Sequence, residues 1–478
     1  MEPKVYMPEN HIADSLAVSL PPIPKSTISS TTLPSPAFEL VTWDGPNDPE
    51  NPQNWPRSTK LFRSTAPLAV IFSITIASSI FGAASSITAK ECDVSEEVMS
   101  LGVTLFVAGF AVGPLVFAPM AERLSRFLVG TFGAGGLAVG SGILADIFGP
   151  ITRGVAVGTS ATIMNLGSII GPIVGAYIVD AYGWRWTAWI KLILCTAVGL
   201  ACTVLLRESS HNRLLINRAA RLRRDTRNEY LRAQAEMASL DAKVLLRKYT
   251  TKPARMFVRE PILIVMTIYL TLVYGSLYLS YQLFPRAFQS RGWSKPAATL
   301  PFFAVGLGVV SALGAFSAFT MTWYKKRWNA AQKESAGEST PARIAPEHRL
   351  PPMVLGAVLL PPALLWFGWS GGTHWISQVV ACYAIGFALQ TVFICGIVYI
   401  VDVYLLNTVS ATCVHVMVRS VVSATFPLFE GPMYETLHIN WSATLLAGLS
   451  TLIMASPVLF IIYGSRVRSW SCFSVSGV

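Results

Sequence analysis

Four ionisable side chains stand inside or at the rim of long apolar runs: Asp402 in YIVDVY, His415 and Arg419 in CVHVMVRS, and Glu430 after FPLF. Charge is expensive to bury in lipid, so each is a functional candidate by default, and Asp402, Arg419 and Glu430 are the candidates for coupling to an ion. Arg419 and Glu430 bracket the end of one run, where an embedded ion pair and a simple interfacial Glu are both open readings. His415, one turn before Arg419, has a side chain whose ordinary titration falls in the physiological range; a packed, hydrogen-bonded histidine is the alternative. Tyr274, Tyr278, Phe284 and Trp366 can stack a planar molecule or hold a cation over a ring face. Gln282 and Tyr278 can hydrogen-bond one, although lipid-facing or helix-packing roles are open for Tyr278, Tyr281 and Gln282.

Positioning such groups calls for a scaffold that lies mostly in lipid. Charged residues make up 13% of the 478-residue chain and hydrophobic ones 52%, with a mean hydropathy of +0.50, whereas a soluble domain carries about 25% charge. Backbone groups in lipid must be satisfied within the segment, and the apolar runs lack a two-residue alternation, so they are helices rather than barrel strands. Runs of roughly twenty residues fall near 65–87, 100–120, 127–148, 155–180 and 187–206, then near 261–285, 299–322, 351–370, 376–402, 407–429 and 441–464. The expected fold is an all-α membrane protein of about eleven spans, five and then six. Residues 1–60, rich in Pro, Ser and Asn and without a signal-peptide pattern, read as a disordered cytoplasmic tail. Membrane segments occupy 61–206 and 261–469, a basic cytoplasmic loop 207–260, and a short tail 470–478.

The net charge of +11 is concentrated in that loop, where Arg207 to Arg259 hold fourteen Lys or Arg against five Asp or Glu. A cytoplasmic loop obeying the positive-inside rule accounts for it, with anionic lipid headgroups as an added partner. Aromatic interleaving and a recognition fold are missing, so nucleic acid is not expected. The seven cysteines form no CxxC pair and imply neither a disulfide framework nor a metal site. The six histidines are scattered, with no HExxH or GxSxG, so a membrane-embedded enzyme is a weak rival. No Walker-type loop exists for ATP. Secondary transport of a small molecule, without a cofactor, fits best.

Charge also tests the count of spans. Arg57, Lys60 and Arg63 precede the first, Arg123 and Arg126 follow the second, and the basic loop follows the fifth. All three blocks belong in the cytoplasm. Two spans separate the first pair of blocks but three separate the second, which is a contradiction. In the second half Lys325, Lys326 and Arg327 follow two spans, and Arg466 and Arg468 follow four more. One helix is therefore missing from the first half, and the near-absent connector in AERLSRFLVG, residues 121–130, is where it belongs.

Several stretches resemble the major facilitator superfamily and, more narrowly, its fungal drug:proton antiporter branch: WDGPNDPENPQNWP at 43–56, GVTLFVAGFAVGPLVFAPMAE at 102–122, GPIVGAYIVDAYGWRWTAWI at 171–190 and PEHRLPPMVLGAVLLP at 346–361. The resemblance runs from about Trp43 to Arg468. It implies two helical bundles around a central cavity that opens alternately to each side, here with 5 + 6 helices instead of twelve. Gly167, Gly171, Pro172 and Gly175 match the superfamily's antiporter motif, and small residues with a proline predict a bent, closely packed helix. Glu122 and Arg126 match part of an inward charge latch whose remainder is absent, and Arg126 also begins the next motif. The roughly thirty residues that relatives place between those motifs, one helix in length, are missing at Ser125–Phe127. Asp402 recurs in the family as a possible proton or cation site, whereas Gln282 replaces a Glu common in relatives and cannot exchange a proton. The resemblance implies a monomer in the plasma membrane that exports a lipophilic or cationic drug, toxin or secondary metabolite against protons. A truncated, non-transporting remnant is the alternative.

Overall fold

The computed structural model describes residues 39–45, 48–91, 93, 143–144, 147–205, 211–236, 252, 255–334, 344–469 and 471. Helix α1 (Arg57–Ser79) runs on through a 3-10 turn (Ile80–Ala84) into the short α2 (Ser85–Glu91). Then come α3 (Pro150–Tyr182), α4 (Arg185–Leu205) and the amphipathic α5 (His211–Thr226). The second half comprises α6 (Pro261–Gln289), α7 (Phe302–Phe319), a π-helical turn (Thr320–Tyr324) and α8 (Lys325–Glu334). It continues with α9 (Pro351–Trp369), α10 (Trp375–Val403), α11 (Thr408–Ile453) and α12 (Ala455–Arg468). The stretch labelled α11 is two helices run together at His438, where φ 56° and ψ 177° leave the helical region.

Local chemistry sets many of these ends. Proline stands in the first turn of α3, α6 and α9, where its missing N–H has no helical partner to lose. At the other end, α3 stops at Gly183, whose φ of 83° is available to glycine without a Cβ penalty. Large apolar side chains on the outer faces, such as Leu192, Leu200, Phe303, Leu307 and Ile462, stay exposed, as a lipid-facing surface requires.

Among the described residues eight helical stretches are long and apolar enough to cross a membrane. The expected spans near 65–87, 155–180 and 187–206, and all six of the second half, coincide with described helices. Those near 100–120 and 127–148 lie, apart from a few residues, outside the described ones.

Contacts between helix ends define two faces. Arg349 donates to the Pro150 carbonyl (2.8 Å), Tyr404 to Glu260 (2.9 Å), Arg468 pairs with Glu347 (3.4 Å), and the Lys60 ammonium lies 6.0 Å from the Phe148 ring centroid. One face therefore gathers the starts of α1, α3, α6 and α9 with the ends of α10 and α12, together with Lys60 and Arg468. On the opposite face Glu91, at the end of α2, pairs with Arg185 (2.8 Å) at the start of α4 and accepts from the Trp184 indole.

The tail and loop on the basic face are more ordered than their composition predicts. From Glu39 onward the segment expected to be disordered carries β1 (Glu39–Val41), which pairs in parallel with β2 (Leu231–Ala233) in the central loop. Asp48 supplies the reason. Its carboxylate accepts the N–H groups of Asp44 (3.0 Å) and Glu50 (2.8 Å), closing a turn, and receives Arg218 of α5 at 2.5 Å. The Arg218 hydrogen bond first, and the two backbone donors after it, hold the Asp48 carboxyl down to about 2. Arg223 clasps Glu236 at 2.8 Å on the far side of β2.

Candidate functional site

Three arrangements of side chains join the first half of the chain to the second or hold polar groups within the helices. The first is the small-residue stripe of α3. Gly167 faces Thr75 of α1, and Gly171 faces Ser79; a Cβ at either position would run into those hydroxyls, and at Gly167 would stand 2.9 Å from the Phe72 carbonyl. Thr75 and Ser79 turn their hydroxyls back onto their own helix, so α1 presents no unpaired donor to the glycines. Gly175 and Pro172 are buried too. The helix runs unbroken through Pro172, so the close packing expected of this motif is realised within a continuous helix.

The second arrangement closes the basic face. Arg349, in the turn before α9, is 1% exposed and pairs with Asp402 of α10 through Nε at 2.5 Å. Its guanidinium lies 4.0 Å from the Tyr324 ring centroid and reaches the Pro150 carbonyl of α3. Gly154 makes room for it, since a Cβ there would collide with the guanidinium. Asp402 thus stands at the membrane edge in a latch between the two halves, away from Arg419.

The third lies deeper. Gln390 of α10 accepts from the Asn165 amide (2.5 Å) and donates to the Thr162 hydroxyl (2.9 Å), both on α3. Beside this amide pair Arg419 of α11 is buried, its guanidinium 4.2 Å from the Tyr274 ring centroid and 5.2 Å from that of Phe393, with Nη2 4.0 Å from the Met164 sulfur. Tyr274 and Tyr278 approach each other through their hydroxyls at 3.3 Å. Arg419 and these two tyrosines are the predicted residues that the structure brings together.

The remaining candidates are placed elsewhere. Gln282 is half-buried, one turn beyond Tyr278 on the same face of α6. Phe284 is enclosed between Phe302 and Phe367, with ring centroids 5.7 and 4.7 Å away. Trp366 is 45% exposed on the outer surface. Glu430 lies about three helical turns, or about 16 Å of rise, beyond Arg419, so the two positions are not neighbours along α11. Glu122 and Arg126 fall outside the described residues. Sequence reasoning passed over Arg349, Gln390, Asn165 and Phe393. Arg349 sits just outside an apolar run, and Gln390 is neutral, so neither announces itself as a buried charge; an amide within an otherwise apolar stretch was the available signal.

Comparison with known proteins is consistent across sequence and shape. Residues 124–427 match the family model described as Major Facilitator Superfamily. The citrinin biosynthesis cluster MFS transporter mrr1 of Monascus ruber is 39% identical, over 91% of this chain and 92% of that protein. The ascochitine biosynthesis cluster MFS transporter of Didymella fabae is 38% identical, over 91% of this chain and 89% of that protein. Among solved structures, the proton:xylose symporter XylE superposes with a TM-score of 0.57 at 13% identity, covering 85% of this chain and 97% of that one.

Proposed function

The chain belongs to the major facilitator superfamily, and on that premise we propose that this multi-pass membrane transporter is a proton-coupled exporter of a small lipophilic or cationic compound, of the drug:proton antiporter branch. The relatives named for biosynthesis clusters support a secondary metabolite or toxin as cargo. The basic face is cytoplasmic by the positive-inside rule, the protein is a monomer, and its site is the plasma membrane. The observation that carries the reading is the contact between halves: α3 meets α10 through an amide pair in the interior and through the Arg349 latch at the basic face. Release of that latch opens the cytoplasmic side; its closure leaves the far side free to part. Protonation from outside then releases the compound, and deprotonation inside resets the carrier.

We further propose that one helix of the first bundle is absent from this chain. Glu91 and Pro150 stand on opposite faces, positions that only an odd number of spans can join, yet the sequence between them holds two apolar runs. The alignment to the Monascus ruber transporter spans 471 positions but 91% of this chain, roughly 435 residues, so gaps here amount to at least roughly 36 positions, more than one span requires. The best apolar window of α4 is 11% buried, the least of the eight candidate spans, as a helix lacking a neighbour would be. Sequencing the spliced transcript across the codons for Ala121 to Gly136 tests this; about thirty additional residues restore a twelve-helix exporter, and a contiguous junction favours the non-transporting remnant. Transport itself is read in inside-out plasma-membrane vesicles given an acidic interior. Chain-dependent uptake of a lipophilic dye that collapses with a protonophore is expected, and uptake indifferent to the gradient would sink the coupling.

A further inference from the structure

A polar surface runs through the interface of α6 and α11. Thr412, His415, Arg419 and Ser423 recur every three or four residues and so share one face of α11; His415, Arg419 and Ser423 expose 1% or less. On α6, Thr267, Thr271, Tyr274 and Tyr278 follow the same spacing and are buried as well. The two faces meet where Arg419 lies over the Tyr274 ring. Within this interface the hydroxyls of Thr267, Thr271, Thr412 and Ser423, both ring nitrogens of His415 and Nε of Arg419 have no hydrogen-bond partner among the described residues.

A buried polar group without a partner is destabilising, and a buried guanidinium without a counter-charge is more so. The neighbours of Arg419 are two ring faces and a thioether, and among the described residues no carboxylate comes within ion-pair distance of it. Ring faces steady a cation without neutralising it. The Nε edge, by contrast, is the geometry that grips a carboxylate with two parallel hydrogen bonds. Met164, which touches Arg419, belongs to α3, so the guanidinium sits on the boundary between the two halves and is uncovered when they part.

Resting on the exporter reading, we propose that Arg419 binds the anionic group of the exported compound, a carboxylate or phenolate, whose aromatic body lies against Tyr274 and Phe393. The cargo is thereby narrowed from lipophilic or cationic compounds to lipophilic organic anions. The hydroxyls of Thr271 and Thr412 and the imidazole of His415 serve the remaining oxygens of such a molecule.

The test titrates the full-length chain in detergent with 2-naphthoate, methyl 2-naphthoate and 2-naphthylmethylammonium by isothermal titration calorimetry. Naphthoate is expected to bind at least tenfold more tightly than the ester or the amine. Arg419→Gln should lose at least tenfold in naphthoate affinity alone, and Arg419→Lys should retain part of it. Equal binding of the three probes, preference for the amine, no naphthoate binding, or unchanged affinity in Arg419→Gln overturns the proposal. Should Arg419→Gln fail to purify, the ranking of probes on the unsubstituted chain and the Arg419→Lys variant decide it. No gradient enters this measurement. A chain that prefers naphthoate yet shows no gradient-driven uptake in vesicles sinks the exporter reading and leaves the anion site standing; driven uptake without charge preference does the reverse.

Discussion

Arg349 and Arg419 are buried to the same extent, 1% exposed each, in surroundings of opposite kind. Arg349 has a carboxylate, a backbone carbonyl and a tyrosine ring to itself. Arg419 has rings and a sulfur. Burial alone therefore says little about what a membrane-embedded charge is for. A charge whose counter-charge comes from the same chain is part of the framework, here at the joint between halves. A charge left without one is an unfinished site, maintained at a cost to stability that only a function repays.

The sharpest way to break this comparison is to remove each charge in turn. Arg349→Met leaves Asp402 buried and uncompensated, and should cost about 3–5 kcal/mol, seen as a lower melting temperature in detergent. The double variant Arg349→Met with Asp402→Leu should recover more than half of that loss, because an apolar pair of similar volume is often neutral. Arg419→Met should leave the melting temperature unchanged or raise it, since it removes a charge with no partner to strand. If it melted as low as Arg349→Met, the two arginines would not differ in kind.

A third arginine sharpens the contrast from outside the membrane. Arg218 meets Asp48 outside the helical core, with 13% and 4% of their side chains exposed, so its effect should be the smallest and confined to the segment in which β1 pairs with β2. The Asp48 carboxyl is depressed from 3.8 to about 2, so its stabilisation is fully present above pH 4 or so and is lost as pH falls through about 2. Hydrogen exchange at the amides of Asp44 and Glu50 should accelerate severalfold in Asp48→Asn at neutral pH, and in the unsubstituted chain only below about pH 4 after correction for intrinsic rates, with the melting temperature of the helical core unchanged.

Hydropathy places the helices along the membrane normal, and the described spans begin and end within a few residues of the expected ones where proline or glycine marks a boundary, as at Pro150, Gly183, Pro261 and Pro351. Rotation about each helix axis is a different matter. Asp402 and Arg419 both read as buried charges, yet which side chains each one meets depends on how its helix is turned and packed, which a one-dimensional pattern does not record. The stripe of Gly167 and Gly171 was legible because its chemistry is local: small residues four apart make one groove. The pairing of Glu39–Val41 with Leu231–Ala233 was not, because the partners are far apart in the chain and each, at three residues, is too short to register as a strand. Gln390 escaped for a related reason, since a neutral amide makes little mark on hydropathy and becomes meaningful only opposite Asn165.

The polar face of α11 also bears on how the protein is made. A segment that brings His415 and Arg419 to mid-membrane enters lipid poorly alone, because an arginine at the centre of a helix costs about 2.5–3.5 kcal/mol on insertion scales. The rings of Tyr274 and Phe393 that shelter it belong to helices synthesised earlier. Insertion of α11 thus waits on α6 and α10 already standing beside the translocon, which makes the order of synthesis, with the sheltering rings first and the charge afterwards, a condition for this half of the protein to reach the bilayer at all.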